Sequence, residues 1–378
     1  AVIARLDGQW VAITGNGYGS ASGQPVLYVI GLADGRLIKR IAAGPADPSS
    51  GNGLSAPRLA LDSSGQALAA YAGDLHGRLW KFDLSGPPSN WTSAFAGDPL
   101  FRTGLAAGDV QPITVQPALV RHPQGGHLVL FGTGKFLEAA DRLDVSVQAF
   151  FAVWDRPGGN GNLNYTRLQA QSILTESGGQ GRSVRTVSSH RVNWGAANGL
   201  GWYLPLVHGA ARGERVTRNV LTRAGRVLFN TGLIEPGTDP CVSTASGWLM
   251  SVDSFTGGML PVATLDSDGN GQVDDRDPLS AGVSLSGGLP GDLVVLELPR
   301  IKPLNPADPL APGSCNPATE FCPCDPSVDD CVCDPADTAC KPVYCGEEYN
   351  LNQTTQTLEL VGGAARCSFR RVMWRQLM

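Results

Sequence analysis

Six oxygen-bearing side chains recur at intervals of two or three residues along the acidic segment DSDGNGQVDDRD, which begins at Asp266. At loop positions 1, 3, 5, 7, 9 and 12 they are Asp266, Asp268, Asn270, Gln272, Asp274 and Asp277, with Gly271 at position 6. This is the spacing of an EF-hand calcium loop, in which carboxylate, amide and backbone carbonyl oxygens surround a hard cation. The sequence therefore predicts a Ca²⁺ site, to which Gln272 contributes its backbone carbonyl.

The loop departs from the EF-hand pattern in two ways. Position 12 is Asp277 instead of the longer glutamate that closes an EF-hand site with both carboxylate oxygens. No helices are expected on either side, because Met259–Leu265 has the pattern of a strand and Pro278 prevents the segment from continuing as a helix. We therefore expect an EF-hand-like loop of modest calcium affinity; a solvated acidic turn without an ion is the alternative.

Cysteines are concentrated near the end of the chain. Seven of the nine lie between Cys315 and Cys345, in a Pro-rich stretch, residues 304–346, that we interpret as an insertion. Too little apolar side chain is present there to fold it alone, so disulfides and an oxidising compartment are expected. Cys241 and Cys367 are expected to pair either with the insertion or with one another, and because nine is an odd number, one thiol is free or pairs with another part of the parent protein. A zinc site built from C-x-C pairs is the alternative, although this is not the usual zinc spacing.

The remaining sequence has the pattern of short strands separated by tight turns. Short apolar runs closed by polar-Gly turns recur, and three share a fuller hairpin form: LYVIGLADGRLIKR, AYAGDLHGRLWKF and WLMSVDSFTGGML. About seven units of ~40–50 residues fit the chain outside the insertion. We expect an all-β protein, a modified seven-bladed β-propeller formed as one domain by residues 1–378. A pair of β-sandwiches is the alternative.

Composition and motifs argue against several function classes. A net charge of −5 does not indicate the positively charged surface that nucleic-acid binding requires. No apolar run is long enough for direct membrane insertion. Hydrolase, zinc-protease and nucleotide-binding motifs do not occur, and the five histidines have no metal-ligand spacing. Tryptophans that follow strands, such as Trp80 and Trp202, are expected to pack between blades. The chain is not expected to be an enzyme.

An ordered series of motifs resembles the C-terminal domain of the PilY family, which comprises type IV pilus biogenesis factors and pilus tip adhesins. The motifs are WVAITGNGYGS, YAGDLHGRLWKFDLS, LVLFGTGKFL, GWYLPL, GERV, LFNTGLIEPGTDPC, GWLMSVDSFTGG, the acidic loop and FRRVMWRQL. The resemblance covers nearly the whole chain except the insertion. The piece GDLHGRLWKFD alone would also fit quinoprotein propellers, so a pyrroloquinoline-quinone (PQQ) dehydrogenase is the alternative function.

The resemblance implies a seven-bladed propeller that binds one calcium through loop positions 1, 3, 5, 7 and 9, with Asp277 as an extra candidate ligand. It also implies that this is the C-terminal part of a longer protein, secreted through the periplasm to the pilus tip or outer cell surface. Its partners would be minor pilins and the pilus tip complex, with the host-cell surface as a further candidate. Calcium would regulate pilus extension and retraction, twitching motility and attachment. The tripeptide Arg212–Gly213–Glu214 is not expected to act as an integrin-binding RGD.

Overall fold

A computed structural model describes most of the chain. The described residues are 1–106, 109–178, 182–235, 244–270, 273, 276–286, 288–299, 344–354 and 358–368. Within these ranges every regular element is a β-strand or a short 3₁₀ helix, and none is an α-helix. The all-β prediction is therefore confirmed. The described residues also contain no helix with the length and hydrophobicity that a bilayer crossing requires.

The strands are numbered along the chain. The first half contains β1 (Val2–Leu6), β2 (Gln9–Gly15), β3 (Val26–Gly31), β4 (Leu37–Ala42), β5 (Arg58–Leu61), β6 (Ala67–Gly73), β7 (Arg78–Asp83), β8 (Thr92–Ser93), β9 (Phe101–Arg102), β10 (Ala118–Arg121), β11 (His127–Gly132), β12 (Ala149–Asp155), β13 (Gln169–Ala170), β14 (Ile173–Ser177) and β15 (Val184–Val187). The second half contains β16 (Gly201–Pro205), β17 (Leu221–Arg223), β18 (Arg226–Glu235), β19 (Thr244–Asp253), β20 (Gly282–Leu285), β21 (Pro290–Pro299), β22 (Tyr344–Thr354) and β23 (Leu358–Ser368).

These strands form five sheets in the described part of the chain. The first has the order β1-β2-β3-β4, and the second has β5-β6-β7-β8 with β9 also on β7. The third is β10-β11-β12-β16-β13, the fourth is β14-β15-β20-β19-β18-β17, and the fifth is β21-β22-β23. Neighbouring strands are antiparallel except β13 and β16. The five sheets of the described residues do not determine how many blades the whole chain forms. The expected number of seven blades therefore stays a prediction.

The sheets pack face to face in chain order. One apolar cluster joins the first and second sheets, and a larger one joins the second, third and fourth. Aromatic rings mark the contacts: Phe101 of β9 lies 5.2 Å from Phe151 of β12, and Phe150 of β12 stacks on Phe229 of β18 at 4.0 Å between centroids. Alternate strand residues thus fill the space between consecutive sheets, as blades do.

In each of the three hairpin units the first strand is followed by a turn of the same design. Asp34, Asp74 and Asp253 each accept a hydrogen bond through Oδ1 from the backbone N–H two residues later. A glycine with positive φ then reverses the chain, at Gly35 (φ 70°) and Gly257 (φ 69°). An aspartate that caps its own turn and a glycine that adopts the left-handed conformation explain why this pattern predicts turns.

Only the first two units continue into a second strand. After β19 and its turn, residues 259–264 are irregular, so the predicted strand Met259–Leu265 is wrong. Leu260 and Leu265 are nevertheless buried, so the apolar pattern was produced by packing rather than by strand pairing. Gly258 precedes this stretch and Pro261 lies within it, and proline cannot donate a ladder hydrogen bond.

Gly257 gives a test of how tightly one turn packs. An added Cβ would lie well inside van der Waals contact of the fully buried Trp202 ring, whereas at Gly35 it would meet nothing within 4 Å. Gly35→Ala should therefore cost only the left-handed backbone strain, about 1–2 kcal/mol. Gly257→Ala should cost about 1–3 kcal/mol more through overpacking. Urea denaturation of both variants measures the difference; equal losses would contradict the packing role of this turn.

Candidate metal centre

The acidic loop lies in the connection between β19 and β20, which are neighbours in the fourth sheet. Leu265, immediately before the loop, is fully buried in a small apolar cluster with Leu228, Leu249 and Val283. Asp266 follows Leu265 directly and is 1% exposed. The sheet thus fixes the entry to the loop by burying one apolar side chain.

Polar contacts anchor the same entry. The buried Arg226 of β18 donates from Nη1 to the Thr264 carbonyl at 3.3 Å, and the hydroxyls of Ser251 and Thr264 are 3.2 Å apart. Further along, the Arg182 backbone N–H donates to the Ser267 carbonyl at 3.0 Å. Strands β18 and β19 and the segment at Arg182 therefore fix the backbone that carries the first carboxylates of the loop.

Three of the predicted ligands come together. Carboxylate oxygens of Asp266, Asp268 and Asp277 all lie within 4.8 Å of one another. Asp266 and Asp277 are buried, at 1% and 6% exposure, and Asp268 is more exposed. The first and last positions of the loop, eleven residues apart in sequence, are thus adjacent in space.

Hydrogen bonds orient the two buried carboxylates. Asp266 Oδ1 accepts from the Gly269 backbone N–H at 2.7 Å. Asp277 Oδ1 accepts from both the backbone N–H and the hydroxyl of Ser267, each at 2.8 Å. Ser267 therefore ties the end of the loop to its beginning. An all-oxygen donor set of this kind suits a hard cation such as Ca²⁺.

The other predicted ligands are placed differently. Asn270 is exposed, and its backbone N–H and Nδ2 donate to the two oxygens of Asp268, both at 3.0 Å. Gln272 and Asp274 lie outside the described residues. Half-buried Val273, at loop position 8, is the only described residue between Asn270 and Arg276.

Several residues that shape this centre were not predicted from sequence. Ser267 occupies loop position 2, which has no ligand role in the EF-hand pattern. Arg226 and Thr264 lie outside the motif. A fully buried arginine can be recognised only once the fold places β18 beneath the loop. Asp277, in contrast, was predicted from its spacing from Asp266.

Other candidate features have structural explanations. Glu214 of the Arg212–Gly213–Glu214 tripeptide is 4% exposed and bonded to the buried Arg185, so its carboxylate does not face a partner. The packing prediction for the tryptophans is confirmed at Trp80 and Trp202, which are 1% and 0% exposed. Their indole N–H groups donate to Asp74 Oδ2 and the Ser254 carbonyl.

Comparison with known proteins identifies the family. The family model for the PilY1 β-propeller domain matches residues 1–177. The type IV pilus biogenesis factor PilY1 of Pseudomonas aeruginosa PAO1 is 36% identical over 315 residues, which cover 74% of this chain and 27% of that protein. A PilY1 homolog of Xylella fastidiosa is 31% identical over 397 aligned positions, covering 100% of this chain and 25% of the relative. The chain thus spans about a quarter of the length of these relatives.

A solved structure agrees with the sequence relatives. The crystal structure of the P. aeruginosa PilY1 C-terminal domain superposes with a TM-score of 0.68 at 31% identity. The match covers 80% of this chain and 68% of that one. The resemblance inferred from the motifs is thereby confirmed, as is the propeller class of the fold. This chain belongs to the PilY1 family and has the fold of its β-propeller domain.

Proposed function

We propose that this chain is the calcium-binding propeller of a type IV pilus biogenesis factor and tip-associated adhesin. The observation that carries the pilus assignment is 36% identity, over 74% of the chain, to a protein named a type IV pilus biogenesis factor. The relatives are named biogenesis factors rather than enzymes. We accordingly assign binding, and not turnover, as the output of the domain.

Calcium binding is supported by the electrostatics of the acidic loop. Like charges about 4–5 Å apart repel by roughly 1 kcal/mol in water and by up to about 4 kcal/mol near a protein surface. A divalent cation among Asp266, Asp268 and Asp277 would offset that repulsion. Asn270, the Gln272 carbonyl and Asp274 would complete an oxygen shell, which Ca²⁺ accepts more readily than the smaller Mg²⁺. The bound ion would stabilise the loop on the fourth sheet.

The proposed role places the protein outside the cytoplasm. It would be secreted through the periplasm to the pilus tip or outer surface, where minor pilins and the tip complex are its partners and the host-cell surface is a further one. The calcium-bound loop would hold the propeller surface in the form that favours pilus extension over retraction. Twitching motility and surface attachment would then depend on calcium.

Genetic complementation tests this assignment. In the source bacterium, deletion of the gene should abolish or strongly reduce surface pili and twitching zones, and the full-length wild-type gene should restore both. The Asp266→Asn gene should restore pili only in part, with a smaller twitching zone, at equal protein level by immunoblot. The charge-matched control is Asp275→Asn at loop position 10, which the ligand pattern does not use.

Two results would contradict the proposal. Normal pili and twitching in the deletion strain would refute the pilus function itself. Full complementation by Asp266→Asn would leave that function standing and refute the regulatory role of calcium.

A further inference from the structure

The Cys-rich insertion begins and ends at one place on the fifth sheet. In this sheet β21 pairs with β22 and β22 pairs with β23, both antiparallel. Pro299, the last residue of β21, is the register partner of Gly346 near the start of β22. Tyr344–Gly346, which the sequence analysis included in the insertion, therefore form the first positions of β22. Residues 300–343 leave and rejoin the sheet at adjacent strands.

Two cysteines face each other in backbone register at this point. Cys345 of β22 is the direct partner of Cys367 of β23. Directly opposed residues of antiparallel strands have Cα atoms about 4.5 or 5.5 Å apart, depending on whether the pair is hydrogen-bonded. Both values fall within the range of about 4.4–6.8 Å that disulfides require. The strand pairing by itself supplies the spacing for a bond.

The alternative pairing of Cys367 with Cys241 has no comparable juxtaposition among the described residues. Cys241 lies outside them, and the nearest described residue, Thr244, begins β19 of the fourth sheet. Cys367 lies on β23 of the fifth sheet.

From this juxtaposition we infer that Cys345 and Cys367 form a cross-strand disulfide that staples β22 to β23 at the base of the insertion. The two thiols lose two protons and two electrons by exchange with a disulfide-bearing oxidant, which is reduced to its dithiol. Such oxidants operate in the compartments through which secreted proteins pass. The bond closes only the 21 residues between the two cysteines.

This pairing separates the insertion from the propeller. Six cysteines remain between Cys315 and Cys340, an even number that can pair entirely within the insertion. The proposed Cys345–Cys367 bond joins two strands of the fifth sheet and involves no residue of the segment 300–343. Rearrangement of disulfides in the insertion would then leave the strand pairing of the fifth sheet unchanged.

Peptide mapping of the wild-type protein tests the bond directly. The protein is produced in an oxidising compartment, alkylated without reduction, and digested with trypsin and chymotrypsin. Cleavage after Tyr344, Tyr349, Arg366 and Phe369 should give Cys345–Tyr349 linked to Cys367–Phe369, a species that disappears on reduction. Finding the Cys367 peptide alkylated, or linked to any other cysteine peptide, overturns the inference.

Thiol counts on denatured variants give an independent test that does not require them to fold natively. Cys367→Ser should expose one more free thiol per chain than the wild type, and the Cys345→Ser/Cys367→Ser double variant should return to the wild-type count. If the two cysteines had different partners, the double variant would expose two more thiols than the wild type. Neither measurement depends on calcium or on pili, so its failure would leave the proposed function untouched.

Discussion

Replacement of Glu214 by alanine should lower the free energy of unfolding by about 3–5 kcal/mol, the usual cost of leaving one member of a buried ion pair without its partner. Glu214 accepts two hydrogen bonds from Arg185, at 2.7 and 2.9 Å. Both residues are almost fully buried, at 4% and 1% exposure. The pair joins β15 to the GERV segment, which precedes β17, and therefore contributes to the core of the fourth sheet.

The remaining contacts of Arg185 cannot replace Glu214. Its guanidinium also binds Glu176 at 2.5 Å and lies 4.1 Å from the Trp248 ring centroid. Burial alone would lower the pKa of Arg185, but the charges of Glu214 and Glu176 hold that pKa above its ordinary value. Since an arginine guanidinium does not lose its proton in proteins, the charge remains in the variant, and its desolvation is compensated by one carboxylate instead of two.

Urea denaturation of three proteins would measure this effect. Glu138→Ala is the surface control: Glu138 is 72% exposed and pairs with Lys135 at 3.6 Å, so we expect a change below about 1 kcal/mol. Glu214→Gln keeps the shape and one acceptor and should be intermediate. If Glu214→Ala is no less stable than the surface control, the ion pair does not stabilise the fourth sheet.

Asp266→Asn should remove most of the stabilisation that we expect calcium to give to the wild-type domain. At a calcium concentration 100 times the dissociation constant, binding to the folded state alone adds about 2.7 kcal/mol to stability. The asparagine keeps the size of the side chain and its hydrogen bond from Gly269, but it removes the charge of the most buried carboxylate in the centre. The variant should therefore be nearly as stable with calcium as with chelator.

Urea midpoints measured in calcium and in chelator give the comparison. Asp275→Asn, in the same loop and with the same change in charge, should keep the calcium response of the wild type. Isothermal titration of both variants would separate a lost site from a weakened one. Because an asparagine side-chain oxygen can also bind calcium, an unchanged response in Asp266→Asn would show that the charge of Asp266 is not required for binding.

Local chemistry made much of this fold predictable. The turns at Asp34, Asp74 and Asp253 are determined by an aspartate that binds its own backbone and a glycine with positive φ, both of which are visible in sequence. The gathering of Asp266 and Asp277 was also predicted, because a known loop spacing fixes which positions converge. In both cases the causes lie within about a dozen residues.

Contacts between distant segments were not predictable in the same way. Arg185 meets Glu214 across 29 residues, and Arg226 reaches Thr264 across 38, so neither pair leaves a local pattern. Met259–Leu265 looked like a strand because burial selects apolar residues whether or not a neighbouring strand is available. The pairing of Cys345 with Cys367 became visible only with the register of β22 and β23.

The pairing of Pro299 with Gly346 has a consequence for how this family can diversify. The residues between them leave the sheet at the end of β21 and return at the start of β22, and these two strands are paired. The segment therefore occupies the position of a hairpin loop, whose length the sheet does not restrict. The entropic cost of closing a flexible turn grows only by about 0.6 kcal/mol for each doubling of its length. Changes in the length or sequence of this segment should therefore be tolerated without compensating changes in the rest of the domain.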